Sequence, residues 1–527
     1  MNLITDAWIP VIRRDGQRER IAPWQIAERN NPVVALNAPR ADFQGALYQW
    51  LIGLLQTVFA PEDIELWAEI WKEGLDAATL QSAFSSVKWA FELDAPGKPA
   101  FLQDYDLDGG ETKSIAGLLI EAPGGKTLKD NMDHFIKRGQ SECLCSSCTA
   151  LALFTLQTNA PSGGVGHRVG LRGGGPLTTL VMPYADGAPL WQQLWMNVLD
   201  QDSLPVADNL LTPEVFPWLG PIRLSDQKGS ETTPDDVHPL QMYWGMPRRI
   251  RLLELRESIR CDLCGEDAAH GYDSYRTKNY GTNYDGAWVH PLTPYRFDPK
   301  KQNLPLSLKG QKGGIGYRHW LGLTLQDPEN GDACAKVIAE FIDNKAREVG
   351  LSRQARLWCF GYDMDNMKAR CWYEHTLPLL QLDKRQQQLL IATVSELLKV
   401  AKQSVFLLKK QVKEAWFARP PDAKGDLSHI EMAFWQDTEA DFYRLLHELA
   451  ELPAGTVFPT SVYMQWPSLL YRHLMQAFDR WTLEAPPEDL DMKRIVLARE
   501  NLKKQYWGNK AIKDMKQRAQ TVEEVNP

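Results

Sequence analysis

Cys145-Ser-Ser-Cys148 and Cys261-Asp-Leu-Cys264 are the two stretches on which the fold of this chain depends most. Each pair holds two thiols with two residues between them, a spacing that lets both bind one metal ion from a tight turn. Together they offer four thiolates, the ligand set of a closed tetrahedral zinc site. Because 112 residues separate the pairs, the metal would tie distant segments together. The pattern predicts one zinc ion per chain; two unrelated pairs of buried thiols are the alternative.

A site closed by four protein thiolates has no position for water or substrate, so the predicted zinc is structural, not catalytic. The other cysteines show no ligand spacing and are expected to be spectators or core residues: Cys143, Cys334, Cys359 and Cys371. The N-terminus lacks the basic and apolar regions of a signal peptide, and the sequence has no run of roughly 18–20 apolar residues. We therefore expect a cytoplasmic protein, in which free or metal-bound thiols are more common than disulfides.

The composition is that of an ordinary globular protein, with 44% apolar and 24% charged residues in a chain of 527. This length is too great for one core, so two to four domains are expected. The formal net charge of −8 argues against a protein that coats nucleic acid by bulk electrostatics. Nucleic-acid contacts must come from local clusters, such as Asp491 to Arg518, which holds nine Lys or Arg against three Asp or Glu. A solvated helix face is the alternative for that stretch.

Residues 1–376 are predicted to form an irregular mixed α+β body. An amphipathic helix is expected over 41–60, and short strands over 177–182 and 249–255. Glycine and proline are frequent between about 94 and 376, and long helical patterns are few there. These turn signals indicate a body with many functional loops.

Residues 377–527 are predicted to form a four-helix bundle, because apolar residues recur every three or four positions. The predicted helices are 390–416, 439–449, 469–481 and 490 to about 518, with breaks near Pro453, Pro467 and Pro486-Pro487. The fold class is therefore α+β: a mixed body that holds the zinc site, followed by a C-terminal helical bundle.

Several landmarks surround the cysteine pairs in a specific order. They are Asn2-Leu-Ile-Thr-Asp-Ala-Trp-Ile-Pro-Val11, Ala160-Pro-Ser-Gly-Gly-Val-Gly-His167, Tyr243-Trp-Gly-Met-Pro247, Asp285-Gly-Ala-Trp-Val-His-Pro291 and Gly361-Tyr362. Each landmark is weak alone, but the ordered set closely resembles the CasA family, the large subunit of the type I-E CRISPR Cascade complex. The similarity extends along the whole chain, including the C-terminal helices.

The resemblance implies a non-catalytic subunit of an RNA-guided surveillance complex. In this family, guide pairing reads the target, while the subunit reads a short flank, the protospacer-adjacent motif, through the minor groove of double-stranded DNA. The subunit then starts duplex opening for R-loop formation and helps to recruit a helicase-nuclease. The implied partners are the other Cascade subunits, the 5′ end of the guide crRNA, the DNA duplex and the helicase-nuclease, with no membrane.

The resemblance also implies which residues read the flank. A glycine loop would approach the groove, because glycine leaves its backbone uncovered. It consists of Gly163, Gly164, Val165 and Gly166, and Arg168, His167 and Arg172 could hold phosphates beside it. The minor-groove finger is either Lys278 or Asn279, since both side chains can donate to A N3 or T O2.

Two further segments follow from the resemblance. A wedge that separates the first base pairs comprises Asn366, Met367, Lys368 and Ala369. A loop that contacts the complex and the guide RNA comprises His134, Phe135, Ile136, Lys137 and Arg138.

The chain departs from the family pattern in two places. Val165 stands where the pattern has glycine, and Met367 and Lys368 replace an amide side chain in a segment about two residues longer. Each segment also has a simpler interpretation. The glycine loop could be a plain surface turn, and the finger a solvated lysine on a loop. The wedge could be a loop with a partly buried methionine, and the guide-RNA loop could hold a core phenylalanine beside solvated basic residues.

Two other functions stay open. A zinc-dependent hydrolase would need an open metal site and a general base, for instance in a His-Glu-x-x-His pair, and the sequence has no such pair. The second alternative is a zinc-stabilised scaffold that binds RNA or protein, which the sequence does not exclude.

Overall fold

Two packing units make up the computed structural model. It describes residues 1–94, 99–122, 129, 136–137, 139–255, 257–351, 355–365, 368–422, 424–452, 460–484 and 490–523, with side chains to 519. The first unit comprises Met1–Gly310 and Cys334–Leu379, and the second comprises Gln311–Ala333 and Leu380–Pro527. The domain boundary at 376/377 stays a prediction, because packing units need not coincide with domains.

Small antiparallel sheets form the framework of the first unit. In the first sheet, β1 (Ile9–Arg13) lies between β2 (Arg18–Ile21) and β3 (Val33–Leu36). In the second, β10 (Gly271–Lys278) pairs with β4 (Glu111–Ser114), β5 (Leu144–Cys145) and β7 (Arg249–Leu255). In the third, β15 (Ala355–Asp365) lies between β6 (Thr178–Pro183) and β16 (Lys368–Pro378). Two short ladders pair β8 (Ile259–Arg260) with β9 (Asp267–Ala268) and β11 (Tyr295–Arg296) with β12 (Leu306–Ser307).

Helices pack around these sheets. The α-helices of the first unit are Ala41–Val58, Ile64–Glu73, Ala77–Ser85, Ser146–Asn159, Leu190–Trp195, Lys336–Glu340 and Ala346–Glu348, and a π-helical turn covers Phe341–Lys345. Its 3-10 turns are Pro23–Ala27, Lys88–Phe91, Ile115–Leu118, Pro217–Leu219 and Pro239–Tyr243. The helix predicted over 41–60 is thus confirmed, but it is buried on almost every side and not only along one stripe.

An aromatic cluster fills the core of the first unit. Phe91 is its centre, with ring centroids 5.7 Å from Trp50, 5.3 Å from Trp244 and 6.0 Å from Trp218. Most of these contacts are edge-to-face, the arrangement that aromatic quadrupoles favour. The many tryptophans of the sequence therefore serve packing here.

The second unit is helical. Its α-helices are Lys384–Trp416, Ser428–Ala450, Thr460–Leu483, Met492–Gly508, Lys510–Glu523 and the short Trp320–Thr324. Its 3-10 turns are Tyr317–His319 and Pro420–Asp422, and β13 (Gln326–Asp327) pairs with β14 (Asp332–Ala333). In the described part of the chain, no helix combines the length and the apolar character needed to cross a bilayer.

The predicted bundle needs two corrections. The last predicted helix is two helices, because Asn509 is extended and its Oδ1 accepts a hydrogen bond from the Ala511 N–H at 2.9 Å. Pro467 does not break a helix but lies inside Thr460–Leu483. Proline costs about 3 kcal/mol or more in a helix interior, and tertiary contacts offset this: Pro467 is buried, and its carbonyl accepts from the Tyr506 hydroxyl at 2.6 Å.

Tyr317 explains why a segment from the middle of the chain packs with the C-terminal helices. Its ring is fully buried, with centroids 4.4 Å from Phe442 and 5.0 Å from Trp435. Its hydroxyl lies 2.9 Å from Thr438 Oγ1, so the polar atom is satisfied inside the core. This segment therefore completes the core of the helical unit.

Candidate metal centre and nucleic-acid interface

Four cysteine sulfur atoms converge in the first unit. The Sγ atoms of Cys145, Cys148, Cys261 and Cys264 all lie within 4.8 Å of one another, and those of Cys145 and Cys264 are 3.8 Å apart. A tetrahedral zinc ion with Zn–S bonds of about 2.3 Å needs sulfur atoms about 3.8 Å apart. The four thiols therefore fit the predicted ion. Within the described ranges, no second group of three or more His, Cys, Asp or Glu side chains converges in this way.

Local structure directs these thiols toward one point. Cys145 ends β5 and precedes the helix Ser146–Asn159, so Cys148 lies in the first helical turn. Cys261 and Cys264 occupy the turn between β8 and β9. This turn closes through a 2.9 Å hydrogen bond from the Gly265 N–H to the Cys261 carbonyl, with a Gly265 φ of +73° that glycine adopts without strain.

The four thiols control one another's ionisation. Hydrogen bonding to Cys145 raises the pKa of Cys148 far above its ordinary value, while hydrogen bonding to Cys145 lowers the pKa of Cys261. A hydrogen bond from Cys148 lowers the pKa of Cys264 to about 7. When close thiols share protons, the pKa values of some rise and those of others fall. A divalent cation allows all four thiols to ionise. Arg20, which donates to the Cys264 sulfur at 3.7 Å, adds positive charge that favours thiolates.

One helix and one strand lead away from the cysteine cluster to a second site. The helix Ser146–Asn159 runs from the first cysteine pair to the predicted glycine loop, and β10 runs from the second pair to the predicted finger. The two elements start side by side, because Cys145 in β5 pairs with Gly271 in β10.

The glycine loop and the finger, 113 residues apart in sequence, meet at this second site. The Gly166 carbonyl accepts a 2.7 Å hydrogen bond from the Tyr280 N–H. A Cβ atom added to Gly166 would lie 2.7 Å from Asn279 Cβ and 2.8 Å from the Tyr280 nitrogen, so no larger residue fits without displacement. Gly166 also has a φ of +74°. Glycine is therefore required here both for conformation and for space.

The finger residues differ in exposure. Lys278 is the last residue of β10, where it pairs with Arg249 and is half-buried, while Asn279 is exposed beside Gly166. Tyr280 has a φ of +63°, a conformation that costs a residue with a Cβ roughly 1–2 kcal/mol. Outliers of this kind cluster at functional sites. Sequence reasoning missed Tyr280, because no local pattern marks a left-handed tyrosine.

Arginines predicted beside the glycine loop have different surroundings. Arg168 Nε and Nη2 donate to the Ser225 hydroxyl and carbonyl, each at 2.7 Å, and Ser225 in turn donates to the Gly281 carbonyl. Arg168 thus braces the finger segment. Arg172 is buried, with its guanidinium 2.5 Å from Gln49 Oε1, so it is a core residue and does not face solvent as predicted.

A glycine segment links the loop to the predicted wedge. A Cβ on Gly174 would lie 2.9 Å from Pro161 Cα, and a Cβ on Gly175 would lie 2.7 Å from Met364 Cγ. Met364 belongs to β15, near the end of the β15–β16 hairpin. The glycine loop and the β15–β16 hairpin can therefore lie this close to the segment between them only because residues 174 and 175 are glycines.

Two of the residues predicted to form the wedge, Lys368 and Ala369, lie at the start of β16 in the β15–β16 hairpin. Lys368 is exposed and pairs with Asp365, and Ala369 pairs with Met364, so both belong to β16. Arg370 braces the strand ends through bonds of 2.8 and 3.0 Å to Asp363. Asn366 and Met367 lie outside the described residues.

The remaining predicted contacts are partly described. Ile136 is buried and Lys137 is exposed, while His134, Phe135 and Arg138 lie outside the described residues. In the basic terminal stretch, three of the nine cations form ion pairs: Arg494 with Asp491, Arg499 with Asp479 and Arg518 with Glu396. Exposed lysines supply charge on the same helices: Lys503, Lys504, Lys510 and Lys513.

Comparisons with known proteins agree with the architecture. The family model of the CRISPR-associated protein Cse1 matches residues 2–477. The fold is similar to that of Thermus thermophilus CasA, at a TM-score of 0.69 and 18% identity, covering 97% of this chain and 100% of that chain. It is also similar to Thermobifida fusca Cse1, at 0.66 and 20%, covering 96% and 98%. A chain of a CRISPR RNA-guided surveillance complex matches at 0.65 and 16%, covering 96% and 99%.

Proposed function

The chain belongs to the CRISPR-associated Cse1 family, and from that membership we propose that it is the large, non-catalytic subunit of an RNA-guided DNA surveillance complex. In this role it reads a short flank in the minor groove, starts duplex opening and helps to recruit the helicase-nuclease. The likeness of its fold to a chain of such a complex supports this role. Its partners are then the other subunits, the 5′ end of the guide RNA and double-stranded DNA in the cytoplasm.

The observation that carries the proposal is the contact between Gly166 and the segment Asn279–Tyr280. It joins the proposed glycine loop to the proposed finger through a 2.7 Å backbone hydrogen bond. A bare loop backbone beside an exposed amide suits a groove whose floor presents acceptors such as A N3 and T O2. Asn279 is the better candidate for the finger, because it is exposed beside the loop while Lys278 is half-buried in β10.

The wedge forms the second part of the proposal. An antiparallel hairpin is a rigid support, and the exposed Lys368 lies where its strands end. Insertion between base steps costs a few kcal/mol, offset by groove contacts and by guide pairing beyond the wedge.

Zinc would be held by the four cysteines and would supply structural support, since a site closed by thiolates offers no position for a reacting water. We propose that the chain itself cuts neither DNA nor RNA. Nicking that co-purifies with the chain and disappears on mutation within it would contradict this.

The test separates the two parts with paired variants in the assembled complex. Lys278→Ala with Asn279→Ala should weaken binding to flank-containing duplex about tenfold or more, even when the pairs beside the flank are already mismatched. Met367→Ala with Lys368→Ala should impair R-loop formation on intact duplex and recover on pre-opened duplex. Lys300→Ala, which removes an exposed lysine elsewhere in the first unit, is the control.

Two results would contradict the proposal. If pre-opening rescues both double variants equally, the division into finger and wedge is wrong. If the wild-type complex binds duplexes with and without the flank equally, the chain is better described as a zinc-stabilised RNA- or protein-binding scaffold.

A further inference from the structure

Arg248 lies directly behind the glycine loop. Its Nη2 donates a short hydrogen bond to the Pro161 carbonyl, where the loop begins. A Cβ atom on Gly163 would lie 2.9 Å from Arg248 Nη1, so any side chain at 163 would meet the guanidinium. Gly163 itself is exposed. The guanidinium thus lies beside an exposed residue that has no side chain to cover it, with the Cβ atom of His167 next to it.

The charge of Arg248 is not neutralised by its surroundings. Among the residues that the structure describes, no carboxylate forms an ion pair with Arg248, and its buried Nε has no hydrogen-bond partner. Burial lowers the pKa of Arg248 to about 10, so the side chain stays cationic at neutral pH. A half-buried cation without an anion is costly, and such a group is stabilised when an anion arrives from outside.

His167 shows that the field of Arg248 reaches the loop. Burial lowers the pKa of His167, the positive charges of Arg248 and then Lys113 lower it further, and Glu111 opposes them. His167 is therefore neutral at pH 7, which leaves Arg248 as the cation closest to Gly163. The histidine, which the sequence suggested as a phosphate contact, does not supply the charge.

We propose that Arg248 binds one backbone phosphate of the DNA duplex that lies on the glycine loop, through the space left by the missing side chain of Gly163. This inference rests on the proposed function and adds to it a phosphate-binding residue outside the loop and the finger. It also gives Gly163 a separate role from Gly166: the first leaves room for a cation, and the second leaves room for the finger.

The salt dependence of binding tests this proposal. The probe is a duplex matched to the guide, with its flank chosen from a randomised library by the wild-type complex. Loss of one phosphate contact reduces the slope of log K against log[salt] by about 0.9. Arg248→Gln should show this reduction, and Arg248→Lys, which keeps the charge, should restore most of it. Arg223→Gln removes an exposed arginine elsewhere in the unit and should leave the slope unchanged.

A second variant covers the case in which Arg248→Gln fails to fold. Gly163→Ala keeps every charge and has no left-handed φ to strain, but its methyl group meets the Cβ atom of His167 and the guanidinium of Arg248. It should lower affinity and reduce the slope in the same direction. A purely structural role for Arg248 would lower thermal stability and leave the slope unchanged, and that result overturns the inference.

The outcomes also separate this inference from the function on which it rests. A wild-type complex that prefers the flank, combined with unchanged slopes in Arg248→Gln and Gly163→Ala, refutes only the role of Arg248. A wild-type complex without flank preference refutes both.

Discussion

The cysteine cluster and the surface formed by 163–166 and 279–280 solve the same problem by different means. Each brings together segments more than 100 residues apart, and each uses the two ends of the same helix and strand. At the metal end, four side chains meet at one point and their chemistry sets the geometry. At the other end, which we call the reading end after its proposed role, backbone atoms and the absence of side chains set the geometry. The cysteine cluster is thus defined by side chains, whereas the surface proposed to face DNA is defined by uncovered backbone.

The difference suggests a dependence of one end on the other. A helix of this length extends about 21 Å and β10 extends about 26 Å. A small change of angle at the cysteines would therefore displace the loop from the finger by several ångströms. We expect zinc to be required for the proposed reading of DNA, although the four cysteines lie at the opposite ends of these elements from the loop and the finger.

The largest expected effect is the loss of the metal end. Cys148→Ser should reduce bound zinc from one ion per chain to almost none and should destabilise the first unit, because structural zinc contributes roughly 10–16 kcal/mol of folding free energy in small domains. Elemental analysis and thermal unfolding measure the two effects.

Cys143→Ser is the matched control. Cys143 lies two residues before Cys145, but its contacts to Asp262 use only its backbone N–H and carbonyl groups. The Cys143→Ser protein should therefore keep one zinc ion per chain. A Cys148→Ser protein that loses zinc yet binds flank-containing duplex normally would break the link between the two ends.

The next largest effect concerns pH, which should change zinc affinity strongly and DNA affinity little. Zinc binds the thiolate form, so at least one proton leaves for each ion bound, and zinc affinity should rise at least about tenfold per pH unit between pH 6 and 8. With the site saturated, DNA affinity should change little between pH 7 and 8, because burial, Arg248 and Lys113 lower the pKa of His167 more than Glu111 raises it, so that the imidazole is neutral. Competition with a chelator and binding titrations measure the two trends. If zinc affinity and DNA affinity changed with pH in the same way, the two ends would not differ in chemistry as we infer.

The smallest expected effect concerns the reading end alone. Gly166→Ala and Gly187→Ala introduce a methyl group at nearly the same φ, +74° and +75°, but only the first meets other atoms within 4 Å. The left-handed φ alone should cost both variants about 1 kcal/mol of stability, and Gly166→Ala should lose more because its methyl group also displaces Asn279 and Tyr280. Gly166→Ala should also bind flank-containing duplex about tenfold more weakly, since a contact loss near 1.4 kcal/mol has this effect. Equal DNA binding by the two variants would show that the contact with Asn279 has no role.

Local patterns in the sequence predicted much of the fold. The helix at 41–60, the strand at 249–255 and the long C-terminal helices follow from periodicity, since one face or more of each is buried. Tertiary contacts decided the remainder. Nothing near Tyr317 indicates that it completes a helical core, and Pro467 stays helical because of contacts with residues far away in sequence.

The cysteine cluster was predictable from the sequence, and the contact between the proposed glycine loop and finger was much less so. Cysteine spacing reports ligand geometry directly, whereas the contact of Gly166 with Asn279 depends on how two elements end in space. Arg172 was wrongly expected to hold phosphate, because proximity in sequence says nothing of burial. Arg248 and Tyr280 carry no motif at all.

The insertion of Gln311–Ala333 into the helical unit has a consequence for the order of folding during synthesis. This segment leaves the ribosome well before Phe442 and Trp435, the residues that enclose Tyr317. The first unit in turn needs β15 and β16, which follow the insertion in the chain. Neither unit can therefore complete its fold before part of the other has been synthesised. A nascent chain released near residue 377 would leave Tyr317 without the helices that bury it, and chaperones could bind this exposed segment.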